Sequence, residues 1–364
     1  MSLYIKAKKK LGDFLLDVEF SSEERVSGLL GASGCGKTLT LRCIAGIVKP
    51  DEGVIVLNGT TLFDSGRGIN LPPQERHVGY LFQNYALFPD MTVEQNIACG
   101  LHHEKDKSLR NSAVADMINK MQLHGLEKHR PRHLSGGQQQ RTALARILVG
   151  KPEILLLDEP FSALDSHLKD KLLAELRNLL KTFDKDTLIV THNRDEAYKL
   201  CGTLALMDSG RLVSIGNTGE MFADPGTRIG AVITGCKNIV EAKKVGKTLV
   251  EVPSWGVRFD VGRPVRDDLC AIGIRAHSFN GGNSESVDKY HKHLATTGDS
   301  VNEFPVRIIE EIEEPFEIMV KFMFMGQSEE SEAVWWRVAK GMGSNLGTTT
   351  KLRVVPKDIL LLYS

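Results

Sequence analysis

The 364 residues carry 46 Lys+Arg against 46 Asp+Glu, a formal charge of zero, on a chain long enough for a large core and two domains. That balance excludes a dedicated nucleic-acid binder, which would carry a strongly basic domain. Cys35, Cys43, Cys99, Cys201, Cys236 and Cys270 are scattered without C-x-x-C spacing, so neither a zinc site nor a disulfide framework is read, and a reduced, cytosolic compartment fits. The N-terminus has no apolar signal-peptide region, and no apolar run reaches the ~18–20 residues that a bilayer span needs. If the protein works at a membrane, another chain must provide the span.

In chain order, KAKKK (Lys6 to Lys10) reads as a solvated strand edge or as a phosphate or lipid patch. RVSGLL reads as a buried strand, followed by the turn GASGCGKT and the helix KTLTLRCIAG. The turn matches G-x-x-x-x-G-K-[ST] in the context that mechanism demands, after a strand and opening a helix. Gly31, Gly34 and Gly36 let successive N–H groups turn inward on a phosphate, and the helix N-terminus adds partial positive charge. Lys37 would reach the β- and γ-phosphates, and the Thr38 hydroxyl would coordinate Mg²⁺. Ser33, Cys35 and Leu39 complete the expected phosphate-binding stretch.

In YLFQNYALFPD, Gln83 follows a short strand and either holds water or Mg²⁺ or is a loop glutamine. Thr92 and Gln95 are spaced as a capping box. HLSGGQQQRTALAR (His133 to Arg146) opens with Ser and two Gly before a helix, suited to an anion, yet carries no lysine. EILLLDEP reads as a buried strand that delivers Asp158 to its C-terminal edge, where ligands sit in open α/β sheets. Asp158 is the expected Mg²⁺-side carboxylate, and Glu159 is suited to deprotonate the attacking water. TLIVTH brings His192 to the same edge, as a structural residue or as a hydrogen-bond donor to a γ-phosphate.

After Asp224-Pro225-Gly226 the texture becomes short alternating strands and turns. The expected division is an α/β domain with a largely parallel sheet over 1–229 and a smaller all-β, barrel-like domain over 230–364. Ser278 to Ser300 is polar and reads as a loop. The pair His291/His293 within it lacks further metal ligands. No second phosphate-loop motif and no internal repeat is found.

Taken together, Lys37 in GASGCGKT, Gln83, LSGGQ (Leu134 to Gln138), LLLDEP, SALD (Ser162 to Asp165) and His192 stand in the order of an ABC-transporter ATPase, and residues 1–230 resemble that family. LSGGQ makes the resemblance specific. It implies a phosphate-loop NTPase fold, ATP hydrolysis coupled to transmembrane transport, ATP and Mg²⁺ as cofactors, and Glu159, His192 and Gln83 as catalytic residues. Thr38, Gln83 and Asp158 would be the metal side. It also implies a head-to-tail dimer with a second copy, in which Ser135, Gly136, Gly137 and Gln138 face the γ-phosphate held by the partner's Lys37. Asp165 would couple the two sites.

One position departs from the family. Leu11-Gly12 stands where an adenine-stacking aromatic is usual, leaving apolar packing or Phe14 to replace it. QNYALFPDMTVEQNI resembles the segment that docks a permease helix, through Tyr85, Leu87, Phe88 and Met91, unless these bury into the domain itself.

GIRAHSF, FPVRIIEEIEEPFEIMVKF and KLRVVPKDILLL resemble the OB-like or TOBE-like regulatory domain of import ATPases, most like those for molybdate and related oxyanions. Import ATPases for sulfate, sugar, polyamine and ferric iron carry similar domains. The resemblance implies transmembrane permease subunits as partners, an extracytoplasmic solute-binding protein indirectly, no nucleic acid, and a peripheral place on the cytoplasmic face of the plasma membrane. Arg275, His277, Lys321 and Arg337 either meet an oxyanion or are solvated strand residues. A soluble ABC ATPase acting on DNA or ribosomes is the rival reading. The long coiled-coil insertions or paired nucleotide domains usual in such proteins are not seen.

Overall fold

The computed structural model describes residues 3–22, 24–162, 166–281, 302–328, 330–340 and 348–364. They belong to two compact units, Met1–Gly219 and Glu220–Ser364. Asp165, His291 and His293 lie outside the described residues.

The first unit opens with β1 (Leu3–Leu11), β2 (Phe14–Ser21), β3 (Val26–Leu30), α1 (Lys37–Ala45), β4 (Glu52–Leu57), β5 (Thr60–Asp64), β6 (Ile69–Asn70) and β7 (Val78–Leu81). It continues through α2 (Val93–Ala98), α3 (Lys107–Lys120), α4 (Gly136–Leu148), β8 (Ile154–Asp158), α5 (Ser166–Thr182), β9 (Asp186–Thr191), α6 (Arg194–Leu200), β10 (Thr203–Asp208) and β11 (Arg211–Asn217). Among the described residues these strands form one sheet in the order β6-β5-β4-β1-β2-β11-β10-β3-β9-β8-β7.

The stretch from β10 to β7 is parallel. Here the strands are covered on both faces, which is why their sequences are continuously apolar. Every residue of β8 is buried. Alternate side chains serve different cores, as the two-residue strand period requires. Leu155 and Leu157 join the cluster under α2–α5, while Ile154 and Leu156 join the cluster around α1.

The other half of the sheet is mostly antiparallel, which departs from the largely parallel sheet expected. The cause is local. Asn58-Gly59 (φ 48 and 80) and Ser209-Gly210 (φ 44 and 82) both hold two consecutive positive φ angles, the turn that closes two-residue hairpins with the natural strand twist.

Among the described residues of the second unit, its strands pair antiparallel, and one isolated parallel bridge joins Thr227 to Tyr363. Asn238–Glu241, Leu269–Ile274 and Ile359–Tyr363 form one sheet, Lys243–Lys244, Leu249–Val252 and Val257–Asp260 a second. Asn280–Gly281, Asn302–Glu313, Glu317–Phe324, Val334–Ala339 and Thr349–Val354 form the third. Ile272 and Leu361 of the first sheet, Val250 and Phe259 of the second, and Val320 and Trp336 of the third all enter one hydrophobic cluster.

All six cysteines are free. Burial pushes the Cys43 and Cys201 thiols up to about 12, so neither holds thiolate at neutral pH. Both should stay unreactive to a disulfide reagent in the native protein and react upon unfolding, whereas half-buried Cys99 should react natively. Thiol counting against time and denaturant checks this.

Candidate nucleotide-binding site

The C-terminal ends of β3, β7, β8 and β9 converge on one edge of the parallel sheet, where an open α/β sheet receives its ligand. After β3 the chain turns through Gly31–Gly36 into α1. Gly34 and Gly36 hold φ of 81 and 106, and a side-chain carbon at Gly31 would lie 2.1 Å from the Met207 carbonyl oxygen. Only glycine fits at Gly31, and positive φ favours it at the other two. Space above Gly34 is open.

Lys37 is 4% exposed. Its ammonium donates to the Gly31 carbonyl at 2.9 Å and the Ala32 carbonyl at 2.8 Å, so the loop is held closed by its own lysine. The Thr38 hydroxyl donates to Asp158 Oδ1 at 2.8 Å. The other carboxylate oxygen accepts from the Tyr80 hydroxyl at 2.9 Å. Burial first, then the Asp158 charge, raises the Tyr80 phenol well above its usual range, so it stays a donor. Sequence reading missed Tyr80. Its place on β7, one residue before the strand's end, was the available signal.

Glu159 gathers the other predicted residues. Gln83 donates to Glu159 Oε2 at 3.2 Å, and His192 Nδ1 meets Oε1 at 3.0 Å. With a carboxylate as its partner, Nδ1 is assigned the proton. Glu159 itself sits at φ 46. Its N–H donates to the Val190 carbonyl, and its own carbonyl accepts from the Ser162 N–H and hydroxyl. Lys37, Thr38, Asp158, Glu159, Gln83 and His192 therefore lie along one edge, with Thr38 bonded to Asp158, Gln83 and His192 bonded to Glu159, and Lys37 bonded to its own loop.

Ser135, Gly136, Gly137 and Gln138 do not join that edge's hydrogen-bond network. Ser135 is the N-cap of α4. Its hydroxyl accepts from the Gln138 N–H at 3.4 Å, and Gln138 Oε1 accepts from the Ser135 N–H at 2.9 Å. This is a complete capping box. It occupies both outer donors and leaves the Gly136 and Gly137 N–H groups without an acceptor among the described residues.

Two other expectations are refined. Phe14 packs beneath the phosphate loop, its ring against the Gly36 and Gly210 backbone, while Leu11 is half exposed. Of the four docking candidates, Tyr85 is buried, with its hydroxyl donating to the Pro160 carbonyl, and Leu87 packs on the core. Phe88 and Met91 are exposed. Arg146 donates to the Tyr85 and Ala86 carbonyls and lies 5.5 Å over the Phe88 ring, fixing the segment that presents it.

In the second unit, Arg275 donates to the Phe222 and Thr234 carbonyls, Lys321 pairs with Glu310, and Arg337 pairs with Glu317. Each is engaged within its own domain. No cluster of three or more His, Cys, Asp or Glu occurs among the described residues. No helix there is long and apolar enough to cross a membrane.

A strand, a glycine-rich turn closing over a lysine, and a strand-end carboxylate bonded to the next threonine define a phosphate-loop nucleotide-binding domain. The family model described as ABC transporter matches residues 16–162. The molybdenum import ATP-binding protein ModC of Paramagnetospirillum magneticum is 39% identical over 76% of this chain and 77% of its own length. The spermidine/putrescine import ATP-binding protein PotA of Thermobifida fusca is 41% identical over 66% of this chain. The chain spans 62% of that relative's length. A dimeric, post-hydrolysis structure of the ATP-binding cassette MJ0796 bound to ADP and Pi superposes with a TM-score of 0.51 at 26% identity, covering 59% of this chain and 98% of that one. The chain belongs to the ABC transporter family, as one of its ATP-binding members.

Proposed function

We propose that this chain hydrolyses ATP to power solute import through a separate membrane permease, from the cytoplasmic face of the membrane. The observation that carries the reading is the arrangement on one sheet edge: Lys37 held by its loop carbonyls beside the hydrogen-bonded pair Thr38–Asp158 for the phosphates, and the hydrogen-bonded group Gln83–Glu159–His192 for the water. Lys37 exchanges its own loop carbonyls for phosphate oxygens, together with the N–H groups of the loop and α1. Glu159 takes the proton of the attacking water, and His192 Nδ1 orients its carboxylate.

The donor set suits Mg²⁺, since Thr38 Oγ1, Asp158 and Gln83 offer hard oxygens. Bound there, the ion would offset negative charge on the phosphoryl oxygens. The free Gly136 and Gly137 N–H groups form an anion half-site, which supports completion of the site by a second copy, head to tail. The cassette dimer among solved structures is in keeping with this.

Exposed Phe88 and Met91 are the docking surface for a permease helix. Phe88→Ser should weaken co-purification with the permease while leaving ATP turnover of the isolated chain within about twofold. Equal co-purification would remove Phe88 from that surface. An extracytoplasmic solute-binding protein would act indirectly, and residues 230–364 would form a regulatory β domain.

Molybdate or a related oxyanion is the proposed solute. The match to the molybdenum import protein extends over 76% of the chain, more than the first unit alone holds, and so includes part of the second. Polyamine import is the second reading, from the spermidine/putrescine relative. Uptake of labelled molybdate, tungstate, sulfate and putrescine by cells carrying Glu159→Gln tests both. Selective loss of molybdate, with or without tungstate, is expected. Loss of putrescine or sulfate alone would move the solute, and unchanged uptake of all four would overturn the import reading for these solutes.

A further inference from the structure

His192 is half exposed, and among the described residues its ring is held by one bond, to Glu159. A single hydrogen bond at an exposed site does not hold an imidazole in place, because water competes for it. Position must come from the backbone that carries the ring, and that backbone is fixed on both sides. Thr191, which ends β9, and Asn193, the N-cap of α6, flank the histidine. The Thr191 hydroxyl accepts from the Asn193 N–H at 3.0 Å and donates to Glu196 Oε2 at 2.5 Å. Asn193 Oδ1 accepts from the Glu196 N–H at 3.1 Å. Three bonds thus join Thr191, Asn193 and Glu196 across the turn that bears His192.

Helix capping does not account for the Glu196 carboxylate, since the cap uses only the Glu196 N–H. The residue is 3% exposed, and a carboxylate withdrawn from water needs a cation and hydrogen bonds. Oε1 meets Lys169 Nζ of α5 at 2.7 Å, which anchors the histidine turn to a separate helix. A second ion pair, Lys199 with Asp170 at 3.4 Å, joins the same two helices. Both of its members are exposed, so it holds little.

We propose that Glu196, held by Lys169, is a positioning residue for ATP hydrolysis. Through the Thr191 hydroxyl it fixes the turn that presents His192 to Glu159, and it acts through His192 rather than on the reacting atoms. The placement of His192 stands on these bonds alone, and its effect on turnover rests on the role proposed for Glu159. Thr191→Val isolates the link, because it keeps the β-branched shape that suits a strand, removes the hydroxyl and leaves the ion pair in place.

Nitrogen NMR of the histidine-labelled full chain, at a pH where the ring is neutral, reads the ring directly, with the His192 signals identified by their loss in His192→Gln. The unsubstituted chain should show Nδ1 protonated, and Thr191→Val and Glu196→Gln should each shift the ring toward the Nε2-protonated form. ATP turnover should fall about tenfold or more in Thr191→Val, Glu196→Gln and Lys169→Met, at a KM within about twofold. In a His192→Ala background Thr191→Val should cost nothing further. Lys199→Met, which breaks the exposed pair between the same helices, should leave turnover within about twofold. Thr191→Val carries the test if Glu196→Gln does not fold. An unaltered ring or undiminished turnover in Thr191→Val, an equal loss in the His192→Ala background, or an equal loss in Lys199→Met would each overturn the proposal. Absent turnover in the unsubstituted chain would instead count against the ATPase reading, and the protonated ring nitrogen would still decide the positioning.

Discussion

Replacement of Glu159 by Gln is expected to lower ATP turnover about 10²–10⁴-fold, the usual contribution of a positioned general base. Glutamine keeps the shape and can still meet Gln83 and His192, so the edge should not rearrange. It cannot accept the proton from water. Nucleotide affinity should change by no more than a few-fold, because neither Lys37, held by its own loop carbonyls, nor the Thr38–Asp158 pair is hydrogen-bonded to Glu159. Steady-state hydrolysis and equilibrium ATP binding, measured on one preparation, separate the two effects. Turnover within about tenfold of the unsubstituted chain would mean that another group is the base. A loss of ATP binding would mean that Glu159 holds the site together rather than acting in it.

The second large effect concerns stability. Arg76 is 1% exposed and has no acidic partner among the described residues. Its guanidinium donates to the Cys43 and Ile44 carbonyls at the C-terminal end of α1, to the Leu71 carbonyl, and to Asn70 Oδ1. It satisfies the Ile44 carbonyl and joins the Gly46 N–H on that of Cys43, and it places a positive charge at the negative end of the helix dipole. Gly46 makes room, since a side-chain carbon there would lie 2.5 Å from Arg76 Nε.

Arg76→Ala is expected to cost about 3–5 kcal/mol, counting several charged hydrogen bonds, the acceptors left unpaired and the lost charge at the helix end. Urea unfolding followed by circular dichroism would read this as a lower midpoint. Arg76→Lys should recover only part of the loss, because an ammonium lacks the planar fork that reaches these acceptors at once. A loss below about 1 kcal/mol for Arg76→Ala would show that water replaces the guanidinium there. α1 carries Lys37 and Thr38 at its other end, so loosening its C-terminus should also weaken ATP binding.

Legibility in the sequence followed how local the cause was. The strands ending at Leu30, Asp158 and Thr191 could be read because burial on both faces makes them continuously apolar. The phosphate loop could be read because glycine at positive φ and a lysine at fixed spacing are both written in adjacent residues. The antiparallel half of the sheet was missed although Asn58-Gly59 and Ser209-Gly210 are local hairpin turns. The capping box at Ser135–Gln138 was missed as such although the same pattern was read at Thr92–Gln95, because the two glycines drew attention to an anion instead. Tyr80 and Arg76 were out of reach for a different reason. Their roles depend on what folding brings beside them, Asp158 for one and the end of α1 for the other, and neither partner is near in sequence. Arg275 is the reverse case, read as an oxyanion contact or a solvated strand residue and found donating to carbonyls of its own unit.

The left-handed backbone at Glu159 sets what selection for a more robust protein would do to this chain. For a residue other than glycine that conformation costs about 1–2 kcal/mol, and glycine would adopt it freely while losing only the side-chain bonds to Gln83 and His192. Repeated rounds of mutation screened by heat resistance alone should therefore enrich Glu159→Gly, and the survivors would be heat-resistant proteins without a base. On the role proposed for Glu159, this sheet edge is thus a place where durability and turnover pull in opposite directions, and any screen for a sturdier variant has to score ATP hydrolysis at the same time.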